Sequence, residues 1–476
     1  MPTVTAQYVQ KDIFRIVSGV ARDRGVRAFA IGGFVRDCFL GRPCNDIDIV
    51  VEGSGIDFAR EVGERTGKYV SYFKNFGTAM LHYEGDEIEF VGARKESYRR
   101  ESRNPVVENG TLEDDQLRRD FTINAMAFSL QEEDFGALVD PFGGIKDLAA
   151  GIIRTPLDPD TTYSDDPLRM LRAVRFATKL STPDHIFRIV PESMESMRRM
   201  APRMDILSKE RIAEELNKML LCDRPSMAFN LMDEAGLLPY VLPQLSALKG
   251  VETIDGRGHK DIFEHTLAVL DNVSSVSDNL WLRWAALLHD IGKAQVKRYD
   301  PKLGWTFHGH DVVGSKMVPR IFSSLKLPLD DKLKFVKKMV WLHMRPIALV
   351  DDEVTDSAVR RLLFDAGDDI DELMTLCNAD ITSKNPVKVA RIRSNFELVK
   401  EKLVEVEEKD ALRNFKNPIT GDYIMEVYGI EPCNTIGQLK EIVKEAILEG
   451  EIGNNFEEAD AFMRKHAPEF GLTPCK

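Results

Sequence analysis

The sequence is poor in cysteine and has no cysteine pair with zinc-binding or redox spacing. Its six cysteines are scattered, at Cys38, Cys44, Cys222, Cys377, Cys433 and Cys475. They predict neither a disulfide framework nor a zinc knuckle, and they suit reduced thiols in a cytosolic protein. No apolar run approaches the roughly 20 residues that cross a bilayer, and residues 1–7 lack the basic-then-apolar order of a signal peptide. We therefore expect a cytoplasmic protein without a membrane segment.

The sequence also lacks a net positive charge, because its 77 acidic residues outnumber its 64 basic ones and give a net charge of −13. This argues against a protein that binds polyanions over its whole surface, because such binding rests on neutralising phosphates. No aromatic RNA-stacking motif is evident, which argues against a noncatalytic RNA-binding protein. Arginines nevertheless cluster within residues 99–203, at Arg99, Arg100, Arg103, Arg118, Arg119, Arg169, Arg172, Arg175, Arg198, Arg199 and Arg203. A basic face on an acidic protein fits RNA bound at one defined surface.

Length and periodicity predict several domains. The 476 residues exceed the ~250–300 at which single cores stop growing. Apolar positions at helical spacing predict a helix over residues 1–25. Strand-like runs follow at 28–31, 46–51, 79–83 and 87–91. From about residue 155 the pattern is almost wholly helical, with a polar boundary at 252–258 and a helix or linker at 386–416.

The first chemical motif is a glycine pair followed by an acidic strand. Gly32 and Gly33 follow an apolar run and precede a predicted helix, so the backbone can approach an anion at a helix N-terminus. Within the run 46–51, Asp46 and Asp48 share one strand face, about 7 Å apart. Carboxylates so placed suit hard divalent cations that bridge a nucleotide triphosphate during two-metal phosphoryl transfer.

This order of strand, glycine turn, helix and acidic strand resembles the DNA polymerase β superfamily. The remaining motifs narrow the resemblance to the class II tRNA nucleotidyltransferase and bacterial poly(A) polymerase family. It implies an α+β fold with a polymerase-β-like head of mixed sheet and helices, followed by all-α neck, HD and tail domains. The expected domains are residues 1–154 (head), 155–250 (neck and RNA binding), 251–385 (HD phosphohydrolase) and 386–476 (helical tail).

In the head, the resemblance extends to a third carboxylate and to a second motif. Glu89 takes the family's position beside the metal pair, although an ordinary solvated strand face is nearly as good an explanation. The stretch from Arg94 to Gly110 resembles the family's flexible loop. In the motif 118–125, Arg119 can fork onto triphosphate oxygens, and Asp120 and Asn124, four apart at a helix start, can hold a ribose or anchor the loop.

The fourth motif, residues 165–176, implies how a base is chosen. Asp166 and Arg169 match the pair that serves the family as a protein template, since a carboxylate accepts from an exocyclic amine and a guanidinium donates to ring acceptors. Cytosine and adenine both offer that amine beside a ring nitrogen. Asp165 stands where the family usually has Glu. The resemblance implies ten nucleotide-binding residues in all: Gly32, Gly33, Arg36, Arg119, Asp120, Asn124, Asp166, Arg169, Arg172 and Arg175.

Residues 140–148 resemble the third motif, which joins head to neck, and residues 208–216 the fifth, a neck helix that braces the site. Ser208 is expected to cap that helix. Its apolar stripe argues mainly for packing.

A second constellation lies in the later part of the chain. The ordered set is His265, His289, Asp290, His310, His343 and Asp380. It resembles the signature of the HD metal-dependent phosphohydrolases, and such a donor set suits Mn²⁺, Fe²⁺, Co²⁺ or Ni²⁺, which activate water against phosphate esters. His308 is an alternative to His310, which matches the family better, and Lys293, three residues past Asp290, is placed to meet a phosphate.

The resemblance implies a cytoplasmic enzyme that adds C, C and A to the 3′ end of tRNA from CTP and ATP. Asp46 and Asp48 would hold Mg²⁺, with Glu89 as the third catalytic carboxylate. The close alternatives are a poly(A) polymerase or an enzyme adding only CC or only A. The loop after Arg94 and the run 125–128 favour full CCA addition. A remoter alternative makes the HD half the working enzyme and the head a sensor. The residues leave open the oligomeric state, and whether 386–476 grips tRNA or packs on the HD domain.

Overall fold

The structure is a computed structural model that describes residues 4–74, 77–99, 102–254, 257–259, 261–351, 355–382, 386–410, 412 and 415–475. The chain divides into two compact units, Met1–Pro243 and Gln244–Lys476. Among the described residues, none of the helices combines the length and the apolar character that crossing a bilayer requires.

The first unit is built on a seven-stranded mixed sheet with strand order β3-β4-β5-β2-β1-β8-β9. Neighbouring strands are antiparallel except β2 and β5, which are parallel. A separate antiparallel hairpin is formed by β6 and β7. The strands are β1 Ala28–Ile31, β2 Asp46–Val51, β3 Val70–Phe73, β4 Thr78–Tyr83, β5 Asp86–Gly92, β6 Arg94–Arg99, β7 Ser102–Asn109, β8 Ala127–Ser129 and β9 Leu138–Val139.

Five α-helices accompany these strands: α1 Asp12–Arg24, α2 Gly33–Phe39, α3 Gly55–Thr66, α4 Leu112–Leu117 and α5 Gly144–Ala150. The helix expected over residues 1–25 is therefore shorter than predicted: a 3₁₀ helix, Val4–Val9, comes first and the α-helix begins at Asp12. Gly25 ends it in the left-handed conformation, with φ 64°, which suits glycine. α3 packs against β3, β4 and β5.

The sheet core follows from the alternation of side chains along each strand. In β2, Ile47, Ile49 and Val51 are buried while Asp46 is exposed. β1 is buried along its whole length, as expected for a central strand that is covered on both faces. One hydrophobic cluster joins this strand to α4 and consists of Phe29, Ile31, Val50, Ala93, Leu112 and Ala127.

The rest of the first unit is helical apart from one short parallel pair, β10 Ile152–Ile153 with β11 Arg188–Ile189. Its helices are α6 Pro159–Asp165, α7 Leu168–Leu180, α8 Pro191–Met200, α9 Lys209–Leu220, α10 Ser226–Glu234, α11 Leu238–Val241 and α12 Pro243–Ser246, the last of which continues into the second unit. Ser208 stands at the N-cap of α9, but its side chain makes no capping hydrogen bond.

The second unit is mainly helical, and its described residues form two small antiparallel ladders. These are β12 Thr253–Ile254 with β13 Arg257–Gly258, and β14 Arg298–Asp300 with β15 Gly304–Thr306. Its helices are α13 Ile262–Ser274, α14 Leu280–Leu288, α15 Lys293–Val296, α16 His310–Leu325, α17 Asp331–Leu342, α18 Met344–Asp351, α19 Asp356–Ala366, α20 Ile370–Ala379, α21 Pro386–Asp410, α22 Gly421–Tyr428, α23 Asn434–Glu449 and α24 Phe456–His466.

The α+β class with a mixed-sheet head and a largely helical remainder is confirmed. Two local expectations were wrong. The stretch 94–110, expected as a loop, contains the β6–β7 ladder, and Asn124 ends a three-residue 3₁₀ helix, Thr122–Asn124, instead of lying in an α-helix start. The short strands β3, β8 and β9 were not predicted, because runs of two to four residues carry little periodicity.

Candidate active sites

The glycine turn of the first unit brings backbone against two polar side chains. Gly32 has φ 81°, in the region that glycine adopts without strain. A Cβ added there would stand 2.7 Å from Nη1 of Arg119 and 3.3 Å from Oδ2 of Asp48. Glycine is therefore needed for both the turn and the close approach of Arg119 to the strand end.

The predicted carboxylates lie together on one face of the sheet. In the parallel pair β2–β5, Asp48 is in register with Glu89, and Asp46 with Glu87, so these side chains share the face. Asp46 is exposed, whereas Asp48 and Glu89 are half-buried. Burial raises the pKa of Asp48 to about 6. The negative charges of Asp46 and Glu89 act in the same direction, and the positive charge of Arg119 opposes them. Such crowding of like charges favours a bound cation.

A cavity of about 420 Å³ lies beside these carboxylates and is rich in arginine. Its lining combines carboxylates from the sheet with arginines from the α4–β8 segment and from two later helices. The lining residues are Asp48, Glu89, Val91, Arg118, Arg119, Asp120, Asp166, Leu168, Arg169, Arg172 and Arg211. Its volume and charge suit a small anionic ligand.

Both carboxylate oxygens of Asp120, another residue of this cavity, accept hydrogen bonds from side chains. Arg172 donates to its Oδ2 from Nε at 2.7 Å, and Asn124 donates to its Oδ1 at 3.1 Å. Burial opposes ionisation, but the charge of Arg172 and these hydrogen bonds outweigh it, so the pKa of Asp120 is lowered. Asn124 in turn accepts from Nη1 of buried Arg36 at 2.7 Å. The Asp120 group therefore braces the second motif from within.

Asp166 stands at the start of α7 and is held by a guanidinium from α9. Nη2 of Arg211 lies 2.8 Å from its Oδ2, and its Oδ1 accepts from the backbone N–H of Leu168 at 3.1 Å. The neighbouring Arg169 donates from Nη2 to the backbone oxygen of Arg118 at 2.7 Å. The edge that could read a base is thus oriented by residues outside the predicted pair.

Arg175 was predicted to bind the nucleotide together with Arg169 and Arg172, but it does not line the cavity. Its Nε lies 2.5 Å from Oε2 of Glu215, and both side chains are buried. Each three-residue step falls about 60° short of a full turn, so two steps place Arg175 about 120° away from Arg169. Of the three arginines of α7, Arg169 and Arg172 therefore line the cavity, and Arg175 forms a structural ion pair.

Of the predicted head residues, the cavity lining includes Asp48, Glu89, Arg119, Asp120, Asp166, Arg169 and Arg172. Gly32, Gly33, Arg36, Asp46 and Asn124 lie outside it, although Gly32 and Asn124 contact residues that line it. The sequence prediction missed Arg118 and Arg211. The available signal for Arg211 was its position in the fifth motif, which had been assigned to packing because of the apolar stripe.

The second unit brings the predicted histidines and aspartates together around Asp290. Two sets of possible ligands share this residue: His265, His289 and Asp290, and Asp290, His310 and His343. Within each set the ligand atoms lie within 4.8 Å of one another. His289, Asp290 and His343 are almost completely buried. His308 is exposed, whereas His310 belongs to the cluster, as the sequence favoured.

Hydrogen bonds fix which ring nitrogens face the centre. The Nδ1 atoms of His289, His310 and His343 lie 2.7–2.8 Å from backbone oxygens of Ala286, Phe307 and Val340. A carbonyl oxygen only accepts, so each Nδ1 carries a hydrogen, and in the neutral ring each Nε2 keeps a lone pair. Nε2 of His310 and Nε2 of His343 are 3.2 Å apart. Two facing lone pairs repel unless a cation is shared.

Two buried polar atoms at this centre, Nε2 of His289 and Oδ1 of Asp290, have no hydrogen-bond partner. Such orphaned atoms are costly unless they bind a ligand. Burial opposes ionisation of Asp290, but His289, His343 and Lys293 outweigh it and hold its pKa well below the usual range. Nitrogen and carboxylate donors so arranged fit a divalent transition metal.

His265, Asp380 and Lys293 lie at the edge of the histidine-aspartate cluster. Nε2 of His265 lies 2.8 Å from Oδ1 of Asp380, and its Nδ1 lies 2.9 Å from Oγ1 of Thr382. Lys293 Nζ lies 2.6 Å from Oδ2 of Asp290 and stays partly exposed at the rim. All six predicted ligands are therefore brought together, with a cation beside them.

The mixed sheet with its carboxylate face and arginine-lined cavity, joined in one chain to a helical unit with a histidine-aspartate cluster, defines a nucleotidyltransferase with an HD-type domain. Three family descriptions match successive parts of the chain. Residues 28–154 match the poly A polymerase head domain, residues 186–249 the probable RNA and SrmB-binding site of polymerase A, and residues 262–385 the HD domain.

The relatives and solved structures agree. The A-adding tRNA nucleotidyltransferase of Deinococcus radiodurans is 33% identical over 368 residues, which are 75% of this chain and 80% of the relative. The multifunctional CCA protein of Cupriavidus metallidurans is 34% identical, over 64% of this chain and 72% of the relative. A solved tRNA nucleotidyltransferase, complexed with a primer tRNA and an incoming ATP analog, is 25% identical with TM-score 0.57, covering 81% of this chain and 98% of that chain. The chain belongs to the tRNA nucleotidyltransferase family.

Proposed function

We propose that the first unit adds C, C and A to the 3′ end of tRNA from CTP and ATP without a nucleic-acid template. The observation that carries this proposal is the single cavity that joins Asp48 and Glu89 to Asp166 and Arg169. One nucleotide can thus place its triphosphate at the carboxylates and its base at Asp166 and Arg169. The names of the relatives, which refer to A addition and to CCA addition, support the same chemistry.

The carboxylates are assigned to metal binding and the arginines to the triphosphate. Asp46 and Asp48 would hold Mg²⁺, with Glu89 beside them, and the ion would supply charge stabilisation for phosphoryl transfer. Arg119 already lies against Asp48 and the glycine turn, where its guanidinium can fork onto phosphate oxygens. The RNA 3′-OH attacks the α-phosphate, and pyrophosphate leaves.

Base selection is assigned to Asp166 and Arg169. The carboxylate accepts from the exocyclic amine of cytosine or adenine, and the guanidinium donates to the adjacent ring nitrogen. In the structure these groups contact Arg211 and the backbone oxygen of Arg118. We infer that Arg169 exchanges its backbone partner for the base, while Arg211 keeps the Asp166 carboxylate in plane.

The decisive experiment is the product ladder from tRNA trimmed of its last three nucleotides, incubated with CTP, with ATP and with both. Two additions with CTP alone and a stop after three with both nucleotides support CCA addition. A long A tail would instead indicate a poly(A) polymerase.

An A-adding enzyme is the second candidate, favoured by the Deinococcus radiodurans relative. The same ladder distinguishes it when the substrate is tRNA that already ends in CC. A single addition with ATP, combined with no incorporation of CTP on fully trimmed tRNA, would replace the CCA proposal. The matched substrate pair separates the two candidates without any variant.

For the second unit we propose a phosphohydrolase that uses a transition metal such as Mn²⁺, Ni²⁺ or Fe²⁺. The buried orphaned atoms of His289 and Asp290 support this. His265, His289, Asp290, His310, His343 and Asp380 are the proposed ligands, and Lys293 meets the phosphate ester. Hydrolysis of 2′,3′-cyclic nucleotides that is lost on chelation and restored by added metal tests it. The HD-only alternative predicts no chain extension by the head.

We also propose that the chain works in the cytoplasm and comprises four domains, residues 1–154, 155–250, 251–385 and 386–476. The matches at 28–154, 186–249 and 262–385 support the first three. The division between the two compact units at residue 243 supports a boundary near residue 250. Limited proteolysis with mass spectrometry tests these boundaries, since cleavage concentrates in exposed linkers.

A further inference from the structure

The outer strand of the sheet, β3, exposes aromatic side chains that the proposed chemistry does not use. The side chain of Tyr69, which directly precedes β3, is 86% exposed, and that of Phe73 is 42% exposed. β3 pairs only on one side within the described sheet. Large aromatic side chains at a sheet edge are an aggregation liability unless they serve a contact.

The register of the sheet places this edge on the catalytic face. Asp48 is in register with Glu89, Glu89 with Met80, and Met80 with Ser71. Residues in register point to the same side of a sheet. Ser71 therefore lies on the face of the carboxylates, three strands away from Asp48, at a distance of about 14 Å for strands 4.8 Å apart.

Alternation along the strand extends the argument to its neighbours. Tyr69 and Phe73 are each two residues from Ser71 and so share its face, whereas Val70 and Tyr72 turn to the opposite face. The contacts agree, because Val70 is buried and α3 packs on β3 from that side: a Cβ at Gly63 of α3 would meet Val70 at 2.4 Å. The exposed ring of Phe73 thus belongs to the same surface as the catalytic carboxylates.

Positive charge flanks this surface at both ends of the strand. Lys68 and Lys74 are exposed, and Arg94 Nη2 lies 3.3 Å from the position of a Cβ on Gly77, in the turn after β3. These cations stand out on a chain of net charge −13. Aromatic side chains interleaved with cations are the elements that bind single-stranded nucleic acid, by stacking on bases and neutralising phosphates.

We propose that Tyr69, Ser71 and Phe73, flanked by Lys68 and Lys74, form an RNA strip that binds the single-stranded nucleotides next to the reactive 3′ end. The strip begins about 14 Å from Asp48, a span of roughly four nucleotides stacked 3.4 Å apart. This inference rests on the proposed function, because it takes the RNA end to lie at the carboxylates.

RNA fits this surface better than a second copy of the chain. Two copies joined through β3 would bring their lysines together, and lysine on an edge strand opposes such pairing. A polyanion instead gains from both lysines and from the two exposed rings. The strip is also continuous with the face on which the polymerising chemistry takes place.

The test compares Tyr69→Ala/Phe73→Ala with Tyr72→Ala, a control on the opposite face of the same strand with a 41% exposed side chain. We expect the double variant to raise KM for trimmed tRNA about tenfold, the loss of about one stacked base, with KM for CTP unchanged. The control should match the wild type. Lys68→Gln/Lys74→Gln supplies a second variant, with a weaker salt dependence of RNA binding as its expected result.

Binding and crosslinking read out the strip without catalysis. RNA carrying 4-thiouridine within four nucleotides of its 3′ end should crosslink to Tyr69 or Phe73, and fluorescence anisotropy should show the same tenfold loss. Unchanged KM and unchanged binding in both multiple variants would overturn the proposal, as would an altered oligomeric mass with normal KM. A wild type that crosslinks at the strip but adds no nucleotide would overturn the proposed function alone.

Discussion

The two candidate sites both bring charged side chains together, but they differ in how far those side chains are exposed to solvent. In the first unit, carboxylates are half-exposed on a sheet face and are surrounded by arginines that remain partly accessible. In the second, Asp290 is buried among histidines whose lone pairs face one another. The open site suits an exchangeable nucleotide and its ions. The closed site suits a resident metal, because its buried polar atoms lack other partners.

The largest expected effect concerns the open site. Asp48→Asn should lower nucleotide incorporation at least about 10³-fold, since the amide keeps the shape but loses the metal-binding charge. Single-turnover incorporation measures this. Thermal stability should stay level or rise, because burial and neighbouring carboxylates make the ionised form of Asp48 unfavourable and raise its pKa to about 6. Near-normal incorporation by this variant would contradict the assignment of Asp48 to the metal site. As a control, we expect the variant to keep its phosphohydrolase activity.

The reciprocal change tests the closed site. His289→Ala should lower the metal affinity of the HD domain about 10²-fold or more, because it removes a proposed ligand that is buried and whose ring is already oriented by Ala286. Metal content by mass spectrometry measures this, with His308→Ala, an exposed histidine of the same domain, as the control. Retained metal in His289→Ala would contradict the assignment. Head activity should change less than twofold.

A third change separates packing from chemistry within α7. Arg175→Met should destabilise the first unit by about 3–5 kcal/mol, because buried Glu215 loses its closest partner and keeps only Lys218, at 4.0 Å. The double variant Arg175→Met/Glu215→Leu should recover most of this loss. Urea unfolding measures both. If Arg175→Met keeps its stability but loses nucleotide affinity, Arg175 belongs to the binding site after all.

The smallest expected effect concerns the orientation of the base-reading edge. Arg211→Gln removes the guanidinium that holds Asp166. The preference for CTP and ATP over GTP and UTP, as a ratio of kcat/KM, should then fall about tenfold. Glu210→Gln, an exposed neighbour on the same helix, is the control. An unchanged preference in Arg211→Gln would limit Arg211 to structural support.

The contrast between the sites also explains what the sequence could predict. The six residues predicted as HD ligands stand out by their types and order, and the structure brings them together around Asp290. The alternation in β2 likewise predicted the shared face of Asp46 and Asp48. These residues are chemically unusual where they stand, so their patterns are visible without tertiary information.

The cavity arginines were harder to assign because helical spacing alone does not say what a helix packs against. Arg175 and Arg172 look equivalent in the sequence, yet one meets buried Glu215 and the other meets Asp120. Arg211 lies on a helix with an apolar stripe, which hid its contact with Asp166. The exposed face of β3 depended on the pairing register, which four residues cannot specify.

The most direct test of the open site is a crystal structure of the full chain with Mn²⁺ and a nonhydrolysable CTP analogue, with Mn²⁺ located by anomalous scattering. We predict Mn²⁺ between Asp46 and Asp48, triphosphate oxygens at Arg119, and the cytosine amine at Asp166. Manganese and triphosphate bound elsewhere, with the oxygens of Asp46 and Asp48 directed into solvent, would contradict the proposed nucleotidyl-transfer site.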